Sequence, residues 1–434
     1  MIGFGQFSIS SGPNHSGGWA EETSDGGYIY VGRNSGNIFI AKTNSNGIEQ
    51  WNQTYTGYLN SVVNNVKQTS DNGYIICGKT NSTLNAGYDV VLIKTDPNGN
   101  ILWAKTFGGT NDESGSSVQQ TTDGGYIITG STQSFGNGGS DVYLIKTDGN
   151  GNEIWNKTFG GTDDDGMSSI QQTADGGYVM TGSTKSFGNG SSDVYLIKTD
   201  SNGNEIWNKT FGGVNRDAMS SVQQTNDGGY IMTGNTELQP GDEVLYILKT
   251  DINGLEVWSK TIINSNGYDN YGIDIQQTND NGYIICGNAY RSVPNGDAST
   301  SCLIKLDQNG IEQWNKILFG PFDELFPIFE DVYYSKSVQQ TSDGGFLICG
   351  SYIRSWEDDY CGMPIWESDY FIFLTKTDGN GNITSIFDIP SINNFNRKLL
   401  KVTDLLGRKT KGKKNEPQLY LYDDGTVEKR IVID

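Results

Sequence analysis

Four carboxylates recur along this chain at a fixed step. Glu113, Asp165, Asp217 and Asp269 stand 52 residues apart. Carboxylate oxygens converging on one axis suit Ca²⁺, which takes six to eight oxygen ligands. The same residues also suit a plainer task, accepting backbone N–H groups of their own turns. A second set lies in two insertions, Phe319 to Tyr334 and Tyr352 to Tyr370. The first brings Phe322, Asp323, Tyr333 and Tyr334; the second brings Trp356, Asp358, Asp359, Tyr360 and Trp366. Aromatic faces stack on sugar rings while carboxylates accept from hydroxyls, and the same mixture meets basic protein patches. The plainer reading is an apolar plug packed on its own scaffold. Signals for catalysis are weak. His15 is the single histidine, which excludes a His-rich metal site and leaves little for a Ser-His-Asp relay. Paired carboxylates hydrolyse glycosides, but acids are so abundant here that no pair stands out.

The positioning elements follow from a repeat. The stretch Gly124 to Gly161 returns almost unchanged at Gly176 to Gly213. The aromatic after each Asp-Gly-Gly or Asp-Asn-Gly turn falls at Tyr28, Tyr74, Tyr126, Tyr178, Tyr230, Tyr283 and Phe346, in steps of 46, 52, 52, 52, 53 and 63 residues. Self-similarity at this period indicates a propeller, solenoid or array. Within the third copy, four strand-type segments run near 117–121, 126–132, 141–147 and 153–159, separated by turn signals. The second and third are apolar at successive positions, so both faces of each strand are covered. Four-stranded antiparallel blades satisfy this by stacking face to face around a ring. The expected fold is therefore all-β: a seven-bladed β-propeller over residues 1–389, with a short C-terminal β tail over 390–434. One Trp per blade, at Trp51, Trp103, Trp155, Trp207, Trp258 and Trp314, is expected as an inter-blade wedge, with Ser385 in its place in blade 7. One of the end segments, Phe4–Ser10 or Thr384–Ile389, is expected to close the ring by pairing the last blade with the first.

The repeat D-G-G-Y-I-x-x-G-x-T, followed by L-I-K-T-D-x-N-G-N-x-x-W-x-K-T-F-G-G, resembles repeats of secreted or surface propellers of bacteria and archaea. Its Lys-Thr-Asp-x-x-Gly-x-x-x-Trp portion is similar to the tryptophan-docking motif of quinoprotein propellers. It is close to the Asp-box hairpin of sialidases, without that motif's Ser-x-Asp-x-Gly spacing. These likenesses imply a fold, and a fold does not fix a function.

Acids outnumber bases 51 to 30, a formal charge of −21. Such a surface repels phosphate backbones and anionic lipid, so nucleic acid is not an expected partner. No run of eighteen apolar residues occurs, so membrane insertion is not expected. The first residues have neither a basic start nor an apolar core, and read as lacking a signal peptide. Five cysteines are not a disulfide framework: Cys77, Cys286 and Cys349 share one strand position in different blades and read as separate buried thiols. Cys302 lies on the strand next to Cys286, where pairing is conceivable.

The tail carries ten Lys or Arg against six acids. Leu399 to Arg408, with its Asp-x-x-Gly-Arg, and the hairpin signal around Asp424-Gly425 resemble the last strands of the type IX secretion sorting domain of Bacteroidetes. The resemblance implies an extracellular or cell-surface address. The alternative for the tail is a basic segment packed on an acidic propeller. The combined expectation is a non-enzymatic binding or adhesion propeller, with a protein or glycan on the face of the blade-7 insertions. Two alternatives stand beside it: a subunit of a virion or surface assembly, joined through the tail, and a polysaccharide-acting hydrolase or lyase. Beyond Ca²⁺, no cofactor is implied.

Overall fold

The computed structural model describes residues 17–34, 37–45, 47–58, 61–81, 87–263, 269–293, 296–318, 331–360, 363–388, 399–404, 418–422 and 427–430. Seven four-stranded antiparallel sheets follow one another along the chain. We call the strands of each blade a to d, in chain order. In blade 3 they are Glu113–Gln120, Tyr126–Thr132, Asp141–Thr147 and Glu153–Phe159. Among the described residues no helix occurs, so none is long and apolar enough to cross a membrane.

The a strands are Gly17–Glu22, Val62–Gln68, Glu113–Gln120, Asp165–Gln172, Asp217–Gln224, Asp269–Gln277 and Asp331–Gln340. Each contacts the a strand of the next blade, and the last contacts the first. They therefore form the inner wall of a closed ring around a central channel. In blade 3 the b, c and d strands fall where the pattern predicts, but strand a begins four residues earlier than expected. The reason is a bulge: Ser117 pairs with Thr129 and Gly115 with Gly130, leaving Ser116 extra. A bulge breaks the two-residue alternation, so the strand loses its sequence signature on one side. Every a strand carries this irregularity.

Alternation along strands b and c assigns each apolar residue to one neighbour. Ile128 and Tyr143 pack with Ile75, Cys77 and Leu92 of blade 2. Ile127, Val142 and Leu144 pack with Tyr178, Met180 and Ile197 of blade 4. The tryptophans are wedges, as predicted. Trp155 meets Tyr178 of the next blade at a centroid distance of 6.2 Å, and the other five repeat this at 5.8 to 6.0 Å. Each ring also covers the next c–d turn. At Gly203, with φ of +75°, a Cβ would stand 2.6 Å from the Trp155 ring, so the site tolerates no side chain.

A second repeated device sits at the same end of strand c, beside the c–d turn. Lys146 is buried, and its Nζ lies 2.9 Å from Asp123 Oδ2 of the a–b turn while donating to the Thr147 carbonyl at 2.9 Å. The pair recurs in all seven blades. Burial alone would raise the Asp123 carboxyl, but donors from Thr121, Gly125 and Lys146 outweigh it and hold the group at about 2.

Among the described residues the ring does not close by strand exchange. Blade 1 (Gly17–Glu22, Tyr28–Asn34, Asn37–Thr43, Glu49–Tyr55) and blade 7 (Asp331–Gln340, Phe346–Tyr360, Met363–Thr377, Ile383–Asp388) each hold four strands of their own. Phe4–Ser10 lies outside the described residues. Closure comes instead from side-chain bonds and from packing of Leu347 and Cys349 against Tyr28, Tyr30 and Phe39. In the tail, Leu399–Asp404, Gln418–Tyr422 and Val427–Arg430 form a separate three-stranded antiparallel sheet containing the expected hairpin.

Candidate functional site

The described residues of the blade-7 insertions, 331–334, 352–360 and 363–370, are strand where loops were expected. Strands b and c of this blade run on to Tyr360 and from Met363 as a two-stranded ribbon. Trp356 stands opposite Glu367, Glu357 opposite Trp366, Asp358 opposite Ile365, Asp359 opposite Pro364 and Tyr360 opposite Met363. Tyr333 and Tyr334 belong to strand a, opposite Tyr352 and Ser351. Pairing satisfies the backbone groups of an insertion that a loop would leave to water. Phe322 and Asp323 lie outside the described residues.

The repeated carboxylates serve their own blades. Glu113 accepts from Gly109 N at 2.7 Å, Thr132 Oγ1 at 2.8 Å and Ser134 N at 3.1 Å. Asp165 accepts from Gly161 N at 2.8 Å and from Thr184 Oγ1, and Asp217 from Gly213 N at 2.9 Å. Asp269 heads strand a of blade 6, opposite Tyr290. Among the described residues no three His, Cys, Asp or Glu side chains gather as a metal site. Neighbouring blades do bring carboxylates together in pairs. A Cβ at Gly160, φ +153°, would lie 2.0 Å from Asp141 Oδ1 and 2.7 Å from Asp165 Oδ2. Burial raises the Asp141 carboxyl, and Asp165 adds to the rise against the Asn137 N–H.

The aspartates of the c–d turns brace their own turns: Asp148 Oδ1 accepts from Asn150 N and Asn152 N, both at 2.8 Å. Cys77, Cys286, Cys302 and Cys349 are buried free thiols, and Cys361 lies outside the described residues. Cys286 and Cys349 are nearer than expected. Burial pushes the Cys286 thiol far up, and Asp274, Cys302 and Cys349 of the adjoining strands add to the rise.

The channel wall holds a constellation that the sequence reading missed. At the position of Ser117 the seven blades carry Trp19, Asn65, Ser117, Ser169, Ser221, Asp274 and Ser337. Several clasp the following blade: Asn65 Oδ1 accepts from Val118 N at 3.4 Å, Ser169 Oγ from Val222 N at 3.3 Å. Two residues on stand Glu21, Lys67, Gln119, Gln171, Gln223, Gln276 and Gln339. Blades 3 to 5 thus keep a neutral Ser and Gln wall. On the arc of blades 6, 7, 1 and 2, blades 6, 1 and 2 depart from it at these positions, and blade 7 departs at its bulge.

On that arc Lys67 Nζ lies 3.2 Å from Glu21 Oε2 and 5.5 Å from the Trp19 ring centroid. Asp274, 3% exposed, accepts from Ser221 Oγ at 2.6 Å, Ile275 N at 3.0 Å and Val338 N at 3.0 Å. Burial raises its carboxyl, against those donors and the Lys67 charge. Lys336 replaces the bulge serine of blades 3 to 5 and is exposed. The signal in the sequence is the strand-a copies aligned residue by residue, where each departure is a single substitution.

The fold and this wall define a closed seven-bladed propeller with an ionisable arc inside its channel. No protein-family profile matches the chain. A curated relative, the regulatory protein FlaEY of Caulobacter vibrioides, is 25% identical over 226 residues, 44% of this chain and 24% of its own length. The chain thus spans about a quarter of that relative. A puromycin hydrolase structure is similar at 10% identity over 96% of this chain and 60% of its own, TM-score 0.49. Prolyl oligopeptidase B of Galerina marginata is similar at 8% identity over 95% and 55%, TM-score 0.44. An endo-arabinase of Bacteroides thetaiotaomicron is similar at 13% identity over 61% and 93%, TM-score 0.32. The expectation of a non-enzymatic binding or adhesion module is corrected to the coarser statement of a β-propeller fold, since these similar structures carry the names of enzymes. At such identities and TM-scores the likeness bears on the fold, and no reaction passes from them to this chain.

Proposed function

We propose that this chain is a propeller hydrolase acting on polysaccharide, with its active site on the channel arc of blades 6, 7, 1 and 2. One observation supports the reading: the neutral inner wall is broken on this arc by Trp19, Glu21, Lys67, Asp274 and Lys336. Polar uniformity serves inter-blade clasps alone, whereas an ion pair beside an aromatic face suits a hydroxyl-rich ring. Trp19 supplies the stacking face. Glu21, held by Lys67 at 3.2 Å, is the carboxylate that takes a proton from the attacking water. The water oxygen bonds to the anomeric carbon as the glycosidic C–O bond breaks, and that proton returns through solvent to the leaving-group oxygen. Asp274 is saturated by its three donors and is a positioning residue, tying blades 5, 6 and 7 around the site.

The test is release of reducing ends from a panel of polysaccharides. Glu21→Gln should lower turnover by roughly 100-fold or more at unchanged melting temperature. No release by the parent protein, or equal release by the variant, would remove the reading.

A further inference from the structure

Lys336 sits at the bulge of the blade-7 a strand, where Ser116, Ser168 and Ser220 sit in blades 3 to 5. A bulge turns its extra residue out of the ladder, here on the innermost strand. The residue keeps contact with water on this inner strand, and the partial burial of its stem and head pushes its ammonium below the usual lysine range. The Cys349 and Cys286 thiols nearby oppose that shift. Among the described residues no carboxylate forms an ion pair with Lys336, while the other lysine of the arc, Lys67, is paired with Glu21. In a chain with 51 acids and 30 bases, a cation on an inner strand without a counter-ion among the described residues stands out. Its strand adjoins that of Trp19: Ser337 Oγ donates to the Ala20 carbonyl at 3.1 Å, so the two residues lie on neighbouring inner strands across the seam.

We infer that Lys336 is the anion-recognising residue of a saccharide subsite, so that the polysaccharide bound in the channel is acidic, carrying carboxylate or sulfate ester groups. The inference rests on the hydrolase reading for its choice of a sugar. A charge-assisted hydrogen bond to an anionic substituent in a partly enclosed site is stronger than a neutral one and weakens with salt. Neutral sugars gain only the stack on Trp19.

Calorimetry with three oligosaccharides of equal length tests it: oligogalacturonate, a sulfated galactan fragment and neutral galactan. One acidic ligand should bind at least about tenfold tighter than the neutral one at low salt, and which one identifies the anion. Lys336→Gln should erase the gap, and Lys336→Arg should keep most of it. Equal binding of all three, or a gap that survives in Lys336→Gln, overturns the inference. Turnover of the same ligands separates the two readings. Acidic binding that depends on Lys336 without cleavage leaves this inference and removes the hydrolase. Cleavage of the neutral chain, unaffected by Lys336→Gln, leaves the hydrolase and removes this inference.

Discussion

Ser337 Oγ donates to the Ala20 carbonyl at 3.1 Å, joining residues 317 positions apart across the blade 7–blade 1 seam. Beside it Gln339 Oε1 accepts from Glu22 N at 2.8 Å. Every other seam has a tryptophan wedge and a covalent connection between its blades, and this one has neither, since Ser385 stands where Trp would. Its closure rests on such bonds and on the packing of Leu347 and Cys349 against blade 1.

The seam should therefore be the ring's least protected interface. Amide exchange at Glu22 is expected to be faster than at Gln172, which is bonded in the same way to Gln119 Oε1 at 2.6 Å. Gln339→Ala should cost about 1 kcal/mol and speed exchange at Glu22 further. Equal protection at both amides would place the weak point elsewhere.

Trp155→Ala removes a partly buried ring that covers both Tyr178 and Gly203. The expected loss is about 3 kcal/mol, read from denaturant or thermal unfolding. A variant that melts with the parent would show that the ring is dispensable between blades 3 and 4.

Acid stability follows from the turn carboxylates. Asp25, Asp71, Asp123 and Asp343 are held at about 2 in the folded protein. The unfolded groups titrate near ~3.9, so the folded state binds these protons more weakly. Their contribution is present above pH ~4 and is lost as pH falls from there towards 2. Melting temperature should drop across that window, and Asp123→Asn should flatten the drop. A melting temperature that is level from pH 5 to 2 would mean that these exposed carboxylates contribute nothing.

The repeat by itself determined the fold. Its period, the paired apolar runs of strands b and c, and one Trp per copy leave few arrangements other than stacked blades, because each signal is local. The lysine under each a–b turn was visible only as a recurring letter: Lys146 follows Asp123 by 23 residues, and hydrogen bonding across two strands makes them neighbours. The site was less legible. Trp356 and Trp366 read as loop residues because nothing local shows that two long segments pair with each other. Trp19, Glu21, Lys67, Asp274 and Lys336 span more than 300 residues, and each alone is an ordinary substitution in a repeat. Closing the ring brings blades 6, 7, 1 and 2 side by side and gathers these five on one arc, and closure is a property of the whole chain that no segment encodes.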